Sequence, residues 1–163
     1  MKSNFNLNTL KGRMAEQIIK DLFQQSGYNV FNFGLESLHP TLSKNIKFIN
    51  NKMSTELRFL PDFVVQNSRQ GDLFYLEVKF RADGCFRFDE KYDTYPYKNA
   101  WFVIVSPEKI QCMHYKRLIQ KYEITPATNY LLTRIKSFNI DPKLLSEYES
   151  YSKMLFQSFA QHI

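Results

Sequence analysis

Leu60-Pro61-Asp62-Phe63-Val64-Val65 and Tyr75-Leu76-Glu77-Val78-Lys79-Phe80 decide how this chain is read. A carboxylate opens the first apolar run, and fifteen positions later a second stands two residues before a lysine inside the other. Both runs have the composition of buried strands. Ionised side chains in such places are costly to desolvate unless they are paired or hold a metal. Strand alternation puts Leu73, Tyr75, Glu77 and Lys79 on one face, and Phe74, Leu76, Val78 and Phe80 on the other. The second set is wholly apolar and belongs in a core. The first sets Glu77 and Lys79 side by side, about 7 Å apart along the strand. Residues 67–72, Asn-Ser-Arg-Gln-Gly-Asp, read as a hairpin turn. If the flanking strands pair through it, Asp62 lies near Glu77.

Working outward, Leu10, Met14, Ala15, Ile18, Ile19, Leu22 and Phe23 form a helical stripe over residues 10–26, which Gly27 ends. Residues 28–33 alternate as a first strand. Residues 34–55 carry few signals: His39-Pro40 marks a turn, and 47–49 reads as a short strand. Stronger strands are expected over 57–66 and 73–80. Residues 81–99 are irregular, with aromatics among charges. Trp101 to Val105 is apolar throughout, as in a strand buried on both faces. A turn at 106–108 leads to a strand over 110–115. Thr125-Pro126 and Asp141-Pro142 each place a capping side chain before a proline suited to the first helical position. After Pro142, the spacing of Leu145, Tyr148, Tyr151, Leu155 and Phe159 predicts an amphipathic helix, with Met154-Leu155-Phe156 as core packing. This order predicts an α/β sandwich around a mixed sheet. A single domain spans 1–163, with its core over about 10–122 and a C-terminal helical part over about 123–163.

With 163 residues, 44% hydrophobic and 16% aromatic, the chain has material for a substantial core. Twenty-two basic against 16 acidic residues give a net charge of +6, which favours a polyanionic partner modestly. The basic residues are dispersed, without a polybasic block. Cys85 and Cys112 have neither metal-ligand spacing nor a disulfide framework and read as reduced thiols. No signal-peptide pattern opens the sequence and no apolar run has membrane-spanning length, which predicts a soluble, cytoplasmic protein.

Two carboxylates brought together repel, and one pKa rises unless a cation sits between them. Oxygen-only ligation suits Mg²⁺ or Mn²⁺. A lysine beside the cation can position the attacking water or neutralise charge developing on a phosphate. These are the parts of metal-assisted phosphodiester hydrolysis.

Pro61-Asp62 followed by Glu77-Val78-Lys79 resembles the PD-(D/E)xK nuclease superfamily, which includes restriction endonuclease-like enzymes and archaeal-type Holliday junction resolvases. Gly12-Arg13-Met14-Ala15-Glu16 is similar to the Gly-x-x-x-Glu opening of the first helix in the resolvase-like branch. The resemblance spans about residues 11–80. It implies a restriction endonuclease-like three-layer sandwich, a central mixed sheet flanked by helices, with further C-terminal helices. It also implies an Mg²⁺- or Mn²⁺-dependent endonuclease acting on DNA, including branched or structured DNA. Asp62 and Glu77 would ligate the ion, the Val78 carbonyl would add a ligand, Glu16 would act directly or through water, and Lys79 would serve the nucleophile. A homodimer suits an enzyme that cuts two strands. Residues 81–90 are hard to read as the helix that resolvase-like members place after Glu-x-Lys. The alternative is a non-catalytic nucleic-acid-binding or protein-interaction module on the same fold.

For nucleic-acid contacts the candidates are Lys11 and Arg13 at the first helix, then Arg81, Arg87, Lys91 and Lys98. Phe88, Tyr92, Tyr95 and Tyr97 either stack on bases or fold the loop onto the core. His39, His114 and His162 form no ligand cluster, and His114 reads as a packing residue.

Overall fold

Five strands form a mixed sheet in the order β1-β2-β3-β4-β5: Tyr28–Asn32, Phe63–Asn67, Leu73–Phe80, Ala100–Val105 and Ile110–His114. The first two pairings are antiparallel, β3 and β4 run parallel, and β4 and β5 are antiparallel. The chain is therefore an α/β protein with a mixed sheet. This is a computed structural model that describes residues 2–69 and 71–160, the side chains of residues 2–6 and 160 excepted. His162 lies outside the described residues.

The first helix, α1, runs from Lys2 to Gln25 and starts well before residue 10. Its stripe of Ala15, Ile19, Leu22 and Phe23 is fully buried against Leu76, Val78 and Val103 of the sheet. Gly27, at φ +84°, turns the chain out of the helix and into β1, as a residue without a Cβ does readily.

Between β1 and β2 the chain is helical where a short strand over 47–49 was expected. Three short helices, α2 (Leu35–Leu38), α3 (Pro40–Asn45) and α4 (Lys52–Arg58), enclose a 3₁₀ turn at Ile46–Phe48. Helix α4 begins on a capping box: Asn51 Oδ1 accepts from the Ser54 N–H at 2.8 Å, and Ser54 Oγ accepts from the Asn51 N–H at 3.0 Å. Leu57 and Arg58 thus belong to a helix rather than to the expected strand, and β2 starts only at Phe63.

Strands β2 and β3 pair as the expected hairpin, with Gly71 at φ +79° before β3. Strand β3 presents Leu76 and Val78 to the core under α1, while Tyr75 packs on the opposite face. That second face is covered by the segment between β3 and β4 and by the single turn α5, Tyr115–Leu118. Phe86, Tyr92 and Tyr95 are buried there against Phe102, so this loop folds its aromatics onto the sheet. The third layer is therefore built from an irregular segment and one short turn.

Residues 125–128 form a turn where a helix start was expected. Thr128 Oγ1 accepts from the Thr125 N–H at 3.0 Å and donates to the Thr125 carbonyl, and Gln111 Nε2 donates to that carbonyl at 2.9 Å. The second expected start holds: Asp141 Oδ1 accepts from the N–H groups of Lys143 and Leu144, opening α6, Pro142–Ala160. Its buried line runs through Leu145, Tyr148, Ser152 and Phe156, while Tyr151 and Met154 are exposed. The stripe expected through Tyr151 is thus displaced, because α6 packs beside α1 at the face carrying Leu145 and Phe156.

Candidate active site

Asp62 precedes β2 by one residue, where the chain bends away from the hairpin ladder. Its Oδ2 accepts a hydrogen bond of 2.7 Å from the Val78 N–H, which ties the mouth of β2 to the middle of β3. The Asp62 carbonyl accepts from the N–H groups of Phe33 and Gly34, at 2.9 and 3.1 Å. A Cβ on Gly34 would stand 3.5 Å from Asp62 Cα and 3.6 Å from its Oδ1, so a larger side chain there crowds the carboxylate. The aspartate is clamped from both neighbouring strands.

Glu77 and Lys79 project together from β3, as alternation requires, and form an ion pair in which the ammonium donates to Glu77 Oε1. Their side chains are 13% and 30% exposed, so the pair is only partly solvated. Glu16 reaches the same place from α1. It follows Ala15 at the edge of the buried stripe and is itself half-buried, bordering the same cavity as Asp62, Glu77 and Lys79.

Glu16, Asp62, Glu77 and Lys79 border one cavity of about 420 Å³, closed on the far side by the segment between β1 and β2. Burial pushes Glu16 up to about 7, with Asp62 adding repulsion. Burial also pushes Glu77 up to about 7, against the pull of Lys79. Asp62 is raised by burial too, although Lys79 and the Val78 N–H draw it down. For Lys79, burial favours the neutral amine, but the Glu77 and Asp62 carboxylates outweigh it and hold the ammonium above the ordinary lysine range. Glu16, Asp62 and Glu77 thus gather around Lys79, and Glu36 borders the same cavity as a fourth acid, an excess of carboxylates over the inner cation that a divalent ion would offset.

The donor set suits Mg²⁺ or Mn²⁺, being all oxygen. Tyr95 lies in the aromatic layer under the same face of β3. It is 1% exposed, packs on Phe59 and Phe102, and its hydroxyl has no hydrogen-bond partner. Phe102 is the β4 neighbour of Glu77, and the Glu77 and Asp62 carboxylates both act on the phenol. Tyr95 does not border the cavity, so the two carboxylates reach its phenol only electrostatically. Among the described residues, no three of His, Cys, Asp and Glu already surround a common cation position. Glu77 is turned to Lys79, and Asp62 commits one oxygen to Val78.

None of the six basic candidates borders this cavity. Lys11 lies 5.9 Å from the ring centroids of both Phe80 and Phe159. Arg13 is exposed on α1. Arg81 Nη1 donates to the Phe80 carbonyl at 2.9 Å, and Arg87 is 4.0 Å from Glu123. Lys91 pairs with Asp89 at 3.3 Å, and Lys98 donates to the Tyr115 hydroxyl at 2.8 Å. Besides Lys79, the basic residues that border the cavity are Lys47 and Arg58, and with the acid Glu36 they come from or next to the segment in which the sequence carried few signals. His114 accepts from the Lys116 N–H and lies edge-on to Trp101, a packing role. Cys85 and Cys112 are free thiols. Among the described residues no helix is long and apolar enough to cross a membrane.

Comparison with known proteins finds no matching family model and no matching curated protein. The chain is similar to the solved structure of Hjc from Archaeoglobus fulgidus, a Holliday junction resolvase from an archaeal hyperthermophile. The two are 14% identical, with a TM-score of 0.43, over 83% of this chain and 98% of that one.

Proposed function

We propose that this chain is a divalent-cation-dependent nuclease that hydrolyses DNA phosphodiester bonds. The observation that carries the reading is the gathering of Glu16, Asp62 and Glu77 around one cavity, all with raised carboxyl pKa values and with Lys79 among them. Asp62 and Glu77 would hold Mg²⁺ or Mn²⁺, with the Val78 carbonyl as a further ligand and Glu16 acting directly or through water. The ion, when bound, supplies electrophilic polarisation of the phosphodiester.

The chain's own residues do the rest. The Val78 N–H fixes the rotation of the Asp62 carboxylate, leaving its second oxygen for the cavity. Lys79, released from Glu77, places its ammonium where it can orient the attacking water and stabilise charge growing on the phosphate. Glu16, raised to about 7 by burial in the ion-free chain, would be drawn down by a bound ion and so be ionised as its direct or water-mediated ligand near neutral pH.

A second reading, a non-catalytic nucleic-acid-binding or protein-interaction module, is favoured by the closed Glu77–Lys79 pair. Incubation with duplex, branched and single-stranded DNA, with and without Mg²⁺ or Mn²⁺, separates the two. Cation-dependent cleavage that disappears in Asp62→Asn, Glu77→Gln and Lys79→Ala supports the nuclease. Cleavage persisting in all three variants, or none by the wild type with any of these substrates, removes it.

A further inference from the structure

The cavity has a wall that the hydrolytic residues do not explain. Lys47 and Arg58 border it from the segment between β1 and β2, which also contributes Glu36, and both are exposed. Lys47 has no ion-pair partner among the described residues, and Arg58 makes only a 3.4 Å contact to Thr55 Oγ1. Phe48 follows Lys47 directly on the 3₁₀ turn and is 91% exposed, the most open large apolar side chain described. It joins no ring contact, although Phe and Tyr elsewhere in the chain pack densely on one another.

We propose that the segment between β1 and β2 captures a single DNA strand: Lys47 and Arg58 hold a backbone phosphate at the cavity mouth, and Phe48 stacks on an unpaired base of the same strand. This rests on the nuclease reading of the cavity and adds its substrate class, DNA with unpaired nucleotides. An exposed ring beside cations is the combination that binds single strands, because every base offers a π-face and every linkage a negative charge. A duplex hides those faces within its stack.

Charge argues against a second copy of this chain as the occupant. Within residues 44–58, Lys44, Lys47, Lys52 and Arg58 are exposed along with Phe48 and Met53, against one acid, Glu56, 4.0 Å from Lys52. A two-fold contact through this surface would bring its lysines against themselves. A polyanion is complementary to the same surface.

The test is binding in EDTA, which needs no hydrolysis. The probes are an oligodeoxynucleotide carrying 2-aminopurine and a blunt hairpin duplex of the same sequence. The wild type should prefer the single strand and quench the 2-aminopurine. Phe48→Ala should lose the quenching and weaken single-strand binding by about 5- to 100-fold, while Phe48→Tyr retains both. Lys47→Ala should lower the salt dependence of binding by about one counterion. Phe48 is too exposed for its replacement to disturb folding.

Unchanged single-strand binding by Phe48→Ala overturns the proposal. So does equal binding of the blunt hairpin, or Phe48-dependent self-association in sedimentation without DNA binding. Failure of the two readings is distinguishable: Phe48-dependent binding without Mn²⁺-dependent cleavage removes hydrolysis alone. Cleavage indifferent to Phe48 removes strand capture alone.

Discussion

The side chain of Asp62 and the backbone of Val78 are joined by a hydrogen bond of 2.7 Å, so Asp62 is anchored to β3 between that strand's two charged residues, Glu77 and Lys79. Shape and charge at position 62 therefore make separable contributions. Asparagine can still accept from the Val78 N–H, whereas alanine leaves that donor unpaired in a part-buried position. We expect Asp62→Ala to lose about 1–3 kcal/mol in urea denaturation, and Asp62→Asn to stay close to the wild type. Both should lose stabilisation by Mn²⁺. Equal destabilisation by the two variants would show that the bond does not position the carboxylate.

The raised carboxyls set the sign of the pH dependence. Glu16 and Glu77 rise from 4.5 to about 7 in the folded chain, so the folded state keeps protons that the unfolded chain has already released. Between about pH 4.5 and 7 the unfolded state therefore binds fewer protons, and stability from these groups falls as pH rises. Without divalent ions, melting temperature should decrease from pH 5 to 7.5. Mn²⁺ should restore it at pH 7.5 far more than at pH 5, where protons compete for the same oxygens. Thermal melts at the two pH values, with Mn²⁺ and with EDTA, measure both effects.

Tyr95→Phe deletes a buried hydroxyl that has no partner. A hydroxyl serving only the fold would leave activity unchanged when removed. We expect the variant to be at least as stable as the wild type, since burying an unpaired polar group carries a penalty. Mn²⁺-dependent cleavage should fall by about two- to threefold, since the phenol bonds to neither carboxylate and acts on them only through space. Full cleavage by a stable Tyr95→Phe protein would make the tyrosine a packing residue only.

Ser152 gives a control remote from the cavity. It is fully buried on α6, and its hydroxyl also lacks a partner. Ser152→Ala should raise stability by about 1 kcal/mol and leave DNA cleavage and binding untouched. Chemical denaturation alongside the nuclease assay checks this.

Lys79→Ala removes the inner cation from among three acids. Cleavage at saturating substrate should fall by about 10²–10³-fold, with a smaller effect on KM. Steady-state kinetics at fixed Mn²⁺ would show the split.

What could be read from the residues depended on periodicity. Glu77 and Lys79 lie on a strand of eight residues with a wholly apolar reverse side, and Glu16 lies beside a stripe on a helix of 24. Such patterns are long enough for burial to mark each position. Helices α2 to α4 have four, six and seven residues, too few for a stripe, and Lys47 and Arg58 were lost with them. One local signal was present there: Asn51 and Ser54 at capping-box spacing announce α4. Thr125-Pro126 misled for the opposite reason. Its capping side chain is real in type, but Thr128 and Gln111 close a turn around the Thr125 carbonyl instead.

Strands β3 and β4 run parallel and adjacent, so the segment joining them must cross from one end of the sheet to the other. That crossover is the irregular stretch whose Tyr92 and Tyr95 lie beneath the Glu77 face. Loops this long are ordinarily where a protein accepts insertions and cleavage. In this chain the hairpin tip at Ser68 and Arg69 is the tolerant loop, while a nick or insertion in the crossover would unmake the acidic cavity without touching any residue that lines it.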